Sequence, residues 1–444
     1  MSFGQRIVSW GIWAALGIGL VLSTGGAMAQ SAQDGIHLGV TTCAGSTCHG
    51  RVERFANSPI AQNEYLIWSQ KDPHAKAFKA LESERGKRIA QNLGLPSAQS
   101  AELCLGCHTD NAPAAKRSRQ FQLADGVGCE TCHGAAEKWL GIHVAGSPHN
   151  ENVAAGMYPT DQPVARAKLC LSCHMGDNSK YPTHQLMGAG HPRIPFELDT
   201  FTAIQPAHYN VNADYVRRKG QPNGVQIWAI GQAVALGNMM NGLLDAKRNR
   251  DGAIPDFVFF ECQSCHHPMT QPRWEARAST GLGPGQILFN DANALMLRIA
   301  AQRVAPNLAQ QLFDRTVALH QGMNDSRQKV LEEAAKLRDI SNQLVQAFAE
   351  RRFNAEDIRA LMDGVIDAGV NRNDFTAYGG AEQASMALSA ILSTMRNLGQ
   401  IDDGKFKTAQ AALNKVYAAV EKDDAFKPST FVAALKDFQA AMPK

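Results

Sequence analysis

All ten cysteines of this 444-residue chain fall into five pairs, and a histidine follows each pair directly. The runs are Cys43-Ala-Gly-Ser-Thr-Cys48-His49, Cys104-Leu-Gly-Cys107-His108, Cys129-Glu-Thr-Cys132-His133, Cys170-Leu-Ser-Cys173-His174 and Cys262-Gln-Ser-Cys265-His266. Two thiols at this spacing can form thioethers with the vinyl groups of a haem, and the next residue then offers imidazole to the iron. Two rival chemistries explain less. Disulfides suit an even cysteine count in an exported chain but leave five histidines without a reason. A zinc ribbon uses two C-x-x-C pairs per metal and leaves the same histidines idle. With 14 histidines in 444 residues, five such coincidences are not chance. The sequence therefore predicts about five covalently bound haem c groups, with His49, His108, His133, His174 and His266 as proximal ligands. The first motif has four residues between its cysteines rather than two. It is the site where Cys43 and Cys48 could instead join as a disulfide, leaving four haems.

Nine histidines remain: His37, His74, His143, His149, His184, His191, His208, His267 and His320. A second imidazole makes an iron six-coordinate and low-spin, a state that passes electrons with little geometric change and binds no substrate at the metal. Nine are available where five are needed, so every iron can be closed, which favours an electron carrier over an enzyme. The alternative is a multihaem oxidoreductase acting on a small nitrogen or sulfur compound at one open iron, with His184, Tyr209 and Arg193 placed to give protons or stabilise charge. No C-x-x-C-K site is present. Met175, Met187, Met239 and Met240 are thioether candidates by position, though methionine more often fills core gaps. Arg193, Arg217, Arg218 and Lys219 either pair with haem propionates, for which a guanidinium fork is suited, or form a solvated face.

The elements that position these residues divide the chain in three. Residues 1–29 read as a signal peptide: Arg6, an apolar run from Gly11 to Leu22, and Ala27-Met28-Ala29 as the cleavage site. The mature chain is then exported to a periplasm, with an uncleaved anchor as the alternative. Residues 30–285 hold every cysteine and 13 of the 14 histidines. Gly and Pro recur there, so this part reads as irregular chain and short helices, one from His74 to Ile89, wrapped around haems that serve as its core. Gly281-Leu-Gly-Pro-Gly285 punctuates the chain. Beyond it, residues 286–444 read as a bundle of four to six helices. Apolar residues recur at three- and four-residue steps in Ser326–Arg351, and Tyr378–Leu398, Asp403–Ala419 and Ser429–Ala441 behave alike. Asn354 and Asp357 carry the spacing of a helix cap. The fold class is thus mainly α with much irregular structure. The bundle either covers the haem domain or docks a redox protein or a membrane quinol-linked complex. The formal charge of +3 carries no basic stripe, so no nucleic acid partner is expected. Oligomeric state is not legible.

Three stretches carry a family resemblance. Asp125-Gly-Val-Gly-Cys-Glu-Thr-Cys-His133-Gly, continuing through Trp139 and His143 to Cys170-Leu-Ser-Cys-His174-Met-Gly, is similar to the cytochrome c554 family of multihaem cytochromes. So is Met187-Gly-Ala-Gly-His191-Pro-Arg-Ile-Pro-Phe-Glu197, and more weakly Phe260-Glu-Cys-Gln-Ser-Cys-His266-His267-Pro. The resemblance implies a periplasmic electron carrier with haems stacked in near-contact pairs. It also implies distal ligands: His143 for the first haem, His74 for the third, His208 for the fourth, and His191 closing the second. The fifth motif is additional to the family's four, and His184 or His149 would be its distal ligand, with His267 a separate possibility.

Overall fold

The computed structural model describes residues 35–53, 55, 58, 60–246, 255–267, 277–283 and 285–442. The expected signal peptide lies outside these residues. The described chain is mainly helical, and its only strand-like pairings are the isolated bridges His37–Arg117 and Phe260–Phe289.

Twelve helices of 4–12 residues come first: α1 (Val40–Cys43), α2 (Glu64–Lys71), α3 (Ala77–Glu82), α4 (Glu84–Asn92), α5 (Glu102–His108), α6 (Cys129–His133), α7 (Leu140–Val144), α8 (His149–Ala154), α9 (Pro163–His174), α10 (His184–Gly188), α11 (Leu198–Ile204) and α12 (Ala213–Lys219). A long helix, α13 (Gly224–Leu244), follows. Seven more complete the chain: α14 (Ala292–Val304), α15 (Pro306–Gly322), α16 (Arg327–Glu350), α17 (Ala355–Val370), α18 (Tyr378–Asn397), α19 (Asp403–Ala418) and α20 (Pro428–Ala441). The bundle thus has one helix more than the upper end of the expected range.

Local chemistry explains the boundaries. The stretch expected as one helix from His74 to Ile89 is broken, because the Ser83 hydroxyl accepts from the Gly86 backbone N–H and starts α4 anew. Asn354 and Asp357 form the expected reciprocal cap of α17. Ser326 caps α16, and Pro428 opens α20.

The expectation of short helices throughout residues 30–285 fails at α13. This helix has 21 residues, and 16 of them are buried. Apolar on every side, it packs on α16, α9, α14, α11 and α18. Among the described residues no helix is long and apolar enough to cross a membrane. Gly231 lets α11 come close, since a Cβ there would sit 2.8 Å from that of Leu198. Among the described residues, the one large hydrophobic cluster runs from Ala167 on α9 to Met442. A boundary at 285 therefore does not divide the core, and α9 and α13 share it with the bundle.

A chain of amides crosses this core. Asn293 Nδ2 donates to Gln232 Oε1 at 2.8 Å, Gln232 Nε2 to Gln383 Oε1 at 2.9 Å, and Gln383 Nε2 to the Phe196 carbonyl at 3.0 Å. Each buried amide finds partners on neighbouring helices, so the network fixes how α13, α14 and α18 meet. Its last acceptor, Phe196, lays its ring on the His174 imidazole at 4.4 Å between centroids. The bundle is thus tied by packing and hydrogen bonds to the histidine of the fourth motif.

Candidate haem sites

Three motifs lie at helix ends. α5 and α9 finish on His108 and His174, and α6 is the third motif itself. On a helix, residues i, i+3 and i+4 share a face, so both thiols and the imidazole of C-x-x-C-H point the same way. Gly134 then ends α6 at once, with φ 80°, a conformation that favours glycine. The fifth motif keeps the same closure in a single turn, with His266 N–H donating to the Cys262 carbonyl at 2.8 Å. The first motif closes its longer loop by a bond from His49 N–H to the Cys43 carbonyl at 3.2 Å. Cys43 and Cys48 are not bridged to each other in this structure.

Each of the five proximal histidines faces a second one. Ring centroids lie 6.1 Å apart for His49 and His143, 6.3 Å for His108 and His191, 6.4 Å for His133 and His208, 6.1 Å for His174 and His74, and 6.1 Å for His266 and His184. One iron between two imidazoles would set this distance. Two metal–nitrogen bonds of about 2.0 Å, plus about 1.2 Å from each nitrogen to its ring centre, give roughly 6.4 Å. The residues therefore fit the group the motifs imply.

Two of these pairings reverse the expectation. His74 faces His174 of the fourth motif, not the third, and His208 faces His133 of the third, not the fourth. Chain tracing explains the difference. The His74 carbonyl accepts from Val127 N–H at 3.0 Å, and a Cβ on Gly126, where φ is 73°, would sit 2.7 Å from that oxygen. His74 is thereby fixed behind the third motif with its ring turned to the fourth. His143 and His191 face the first and second motifs as expected. The fifth pair forms with His184, without His149 or His267. His149 Nε2 is bonded to Asp161 at 3.0 Å.

What lies behind the rings decides which nitrogen is free. Nδ1 bonds Glu64 at 3.0 Å in His49, Asp72 at 2.8 Å in His74, the Ala77 carbonyl at 2.9 Å in His108 and the Pro192 carbonyl at 2.8 Å in His191. Such a bond fixes the ring and leaves Nε2 for a metal. Asp72 is buried, which works against its charge. The bonds from His74 and Gln205 outweigh burial and hold its carboxyl down at about 2. Burial pushes His133 and His174 down to about 4, so both are neutral and able to ligate.

A cavity of about 1040 Å³ opens between the first and third motifs. Cys48, His49, Cys132 and His133 line it with His143 and His208, and Cys170 and His74 of the fourth site reach its wall. That volume is at the upper limit for a single-ligand pocket. Thiols of different motifs also meet. Cys43 and Cys129 are hydrogen-bonded to each other, as are Cys107 and Cys173.

The four basic residues weighed as propionate partners or as a solvated face have protein partners in this structure. Arg193 forms a two-pronged pair with Glu382 of α18, Arg217 and Arg218 pair with Asp214, and Lys219 reaches Asp161 at 3.3 Å. His37 and His320 lie apart from the five pairs. His37 bonds Asp110 at 2.8 Å, and His320 is buried in α15 with Nδ1 on the Thr316 carbonyl at 2.9 Å. Sequence reasoning missed Glu64 and Asp72. Asp72, two residues before His74, was within reach of a local reading, whereas Glu64 lies fifteen residues from His49.

Residues 42–134 match the family model described as cytochrome c554 and c-prime, about a fifth of the chain and the part that holds the first three motifs. No curated protein matches the chain. No solved structure matches it either. By that match, residues 42–134 are similar to the cytochrome c554 and c-prime family, c-type cytochromes that bind haem covalently.

Proposed function

We propose that the protein is an exported electron carrier with five haem c groups, each iron held between two histidines. The observation that carries this reading is the set of five facing imidazole pairs, one for every attachment motif. Bis-histidine haem supplies a one-electron couple and offers no coordination position to a substrate. The residues of the chain do the rest. Glu64, Asp72 and the Ala77 and Pro192 carbonyls hold the rings in their ligating tautomer. Phe196 covers the His174 ring, and Cys43 against Cys129 and Cys107 against Cys173 bring attachment points of different sites together. That closeness supports stacked haem pairs and hopping between them. Arg166 lines the large cavity and is placed to receive a propionate there. Residues 1–29 support export to the periplasm, and soluble or membrane-bound redox proteins are the partners such a carrier serves.

Intact-mass spectrometry of the protein purified from a haem-attaching host tests this. The expected mass is that of a chain beginning at Gln30 plus five haems. Four haems with an oxidised Cys43–Cys48 pair would overturn the count at the first site, and none would overturn the reading.

A further inference from the structure

The fifth motif stands apart in the chain from the other four, and its surroundings show where it joins them. His184 opens α10 and faces His266 of the fifth site. His191, seven residues on, faces His108 of the second. The segment between them is a tight turn, closed by Gly190 N–H to the Met187 carbonyl at 2.9 Å and His191 N–H to the Leu186 carbonyl at 3.3 Å. Both ends are pinned. His184 N–H donates to Asp256 Oδ1 at 3.0 Å, on the loop that leads into the fifth motif. Arg85 donates to the Gly190 carbonyl and Asn92 to the Ala189 carbonyl, tying the other end to α4.

The other four sites are joined by their thiols. Cys43 touches Cys129, linking first and third, and Cys107 touches Cys173, linking second and fourth. Cys132 of the third site and Cys170 of the fourth line the same cavity. The fifth site has different neighbours. Glu261 N–H donates to the Leu288 carbonyl at 2.8 Å, and Gly379 N–H donates to the Glu261 carboxylate at 3.2 Å. Gln263 Nε2 donates to Asp423 at 3.1 Å. All three partners belong to the C-terminal part. Two residues beyond His191, Arg193 grips Glu382 of α18. The fifth motif is also the outermost, since Cys265 is the one exposed cysteine of the ten.

We propose that the fifth haem site is the end of a single line of sites, joined to the others through the second site by the 184–191 turn and held there by the C-terminal bundle. This rests on the reading of five bis-histidine haems. It gives the bundle a role: it builds the added terminus rather than only covering the core.

The test uses the full-length holoprotein and its Cys262→Ala/Cys265→Ala variant, each titrated by reduction potential under electron paramagnetic resonance with haem counted on the same samples. The variant is expected to lose one haem. Among the four that remain, one midpoint should shift, and it should belong to the haem that His191→Ala turns high-spin. A shift confined to the haem that His143→Ala opens, or spread equally over all four, would overturn the proposal. Should the double variant not fold, His184→Ala keeps the covalent attachment and opens only the fifth iron. Its new high-spin signal should then sharpen when the second haem is reduced and becomes diamagnetic, and a signal indifferent to that haem would overturn the proposal. Failure of the parent reading looks different: the unmodified protein would lack the fifth haem or show a high-spin iron before any substitution.

Discussion

Asp72 offers the sharpest test of how the chain tunes one haem. Its carboxylate accepts from His74 Nδ1 at 2.8 Å and from His74 N–H at 3.0 Å, and its side chain is only 3% exposed. Water therefore screens the charge poorly. A carboxylate behind a ligating imidazole makes the ring a stronger donor and favours ferric over ferrous iron. Partners of this kind are typically worth 10–100-fold in metal affinity. If that factor separates the two oxidation states, it amounts to about 60–120 mV for a one-electron couple. Asp72→Asn keeps an oxygen to accept from His74 and keeps a residue suited to the cap position, but removes the charge. The fourth haem, facing His174, should rise in potential by about 60–120 mV, while the other four move little. Spectroscopically monitored redox titration of the full-length protein reads this directly. A fall in potential, or a shift on the haem of the third motif in place of the fourth, would refute both the tuning argument and the pairing of His74 with His174.

Other perturbations follow from particular contacts. His191→Ala should open the second iron, giving a high-spin ferric signal of about one haem and new carbon monoxide binding in the reduced protein; an unchanged spin state would remove His191 from the ligand set. Gln383→Leu strands the Gln232 amide and the Phe196 carbonyl inside the core. At about 1–3 kcal/mol for each unsatisfied group, it should cost about 2–6 kcal/mol and lower Tm, and a neutral result would mean that the amide chain does not hold the bundle to the haem side. The buried His37–Asp110 pair predicts a pH dependence. Burial works against the His37 proton, but Asp110 outweighs it and raises the pKa above 6.5. Its stabilising effect is complete below pH 6.5 and drains away as pH rises through the raised value. Denaturant titrations from pH 6 to 9 should show this slope, and His37→Gln should flatten it.

The proposed chemistry is legible in the sequence because it rests on local cysteine–histidine motifs. A C-x-x-C-H run states its own geometry, and the surplus of histidines anticipates the distal set. The pairing was less legible, since which ring meets which iron depends on loops such as Asp125–Gly128 that carry His74 past the nearer third motif. Helices with clear caps, at Ser326, Asn354 and Pro428, were legible to within a residue or two. α13 was not. Its apolar residues run all round the helix, so it lacks the one-sided periodicity that marks a surface helix, and its own Gly224, Gly231 and Gly237 read as irregular chain. Arg193 looked like a propionate partner because its carboxylate, Glu382, lies 189 residues away. Arg217 and Arg218, weighed also as a solvated face, are exposed and pair with Asp214 three and four residues before them.

The central claim is that each of five irons lies between two histidines. Low-temperature electron paramagnetic resonance of the fully oxidised holoprotein tests it most directly. Imidazole planes cross at 89°, 83° and 79° in the fourth, second and third sites and lie within 11° of parallel in the first. Crossed planes leave two iron orbitals nearly equal in energy and give strongly anisotropic low-spin signals, whereas parallel planes give an ordinary rhombic one. The account predicts three strongly anisotropic haems, one rhombic haem and a fifth between them, its planes 37° apart, with no high-spin ferric iron. A high-spin signal of about one haem would contradict it.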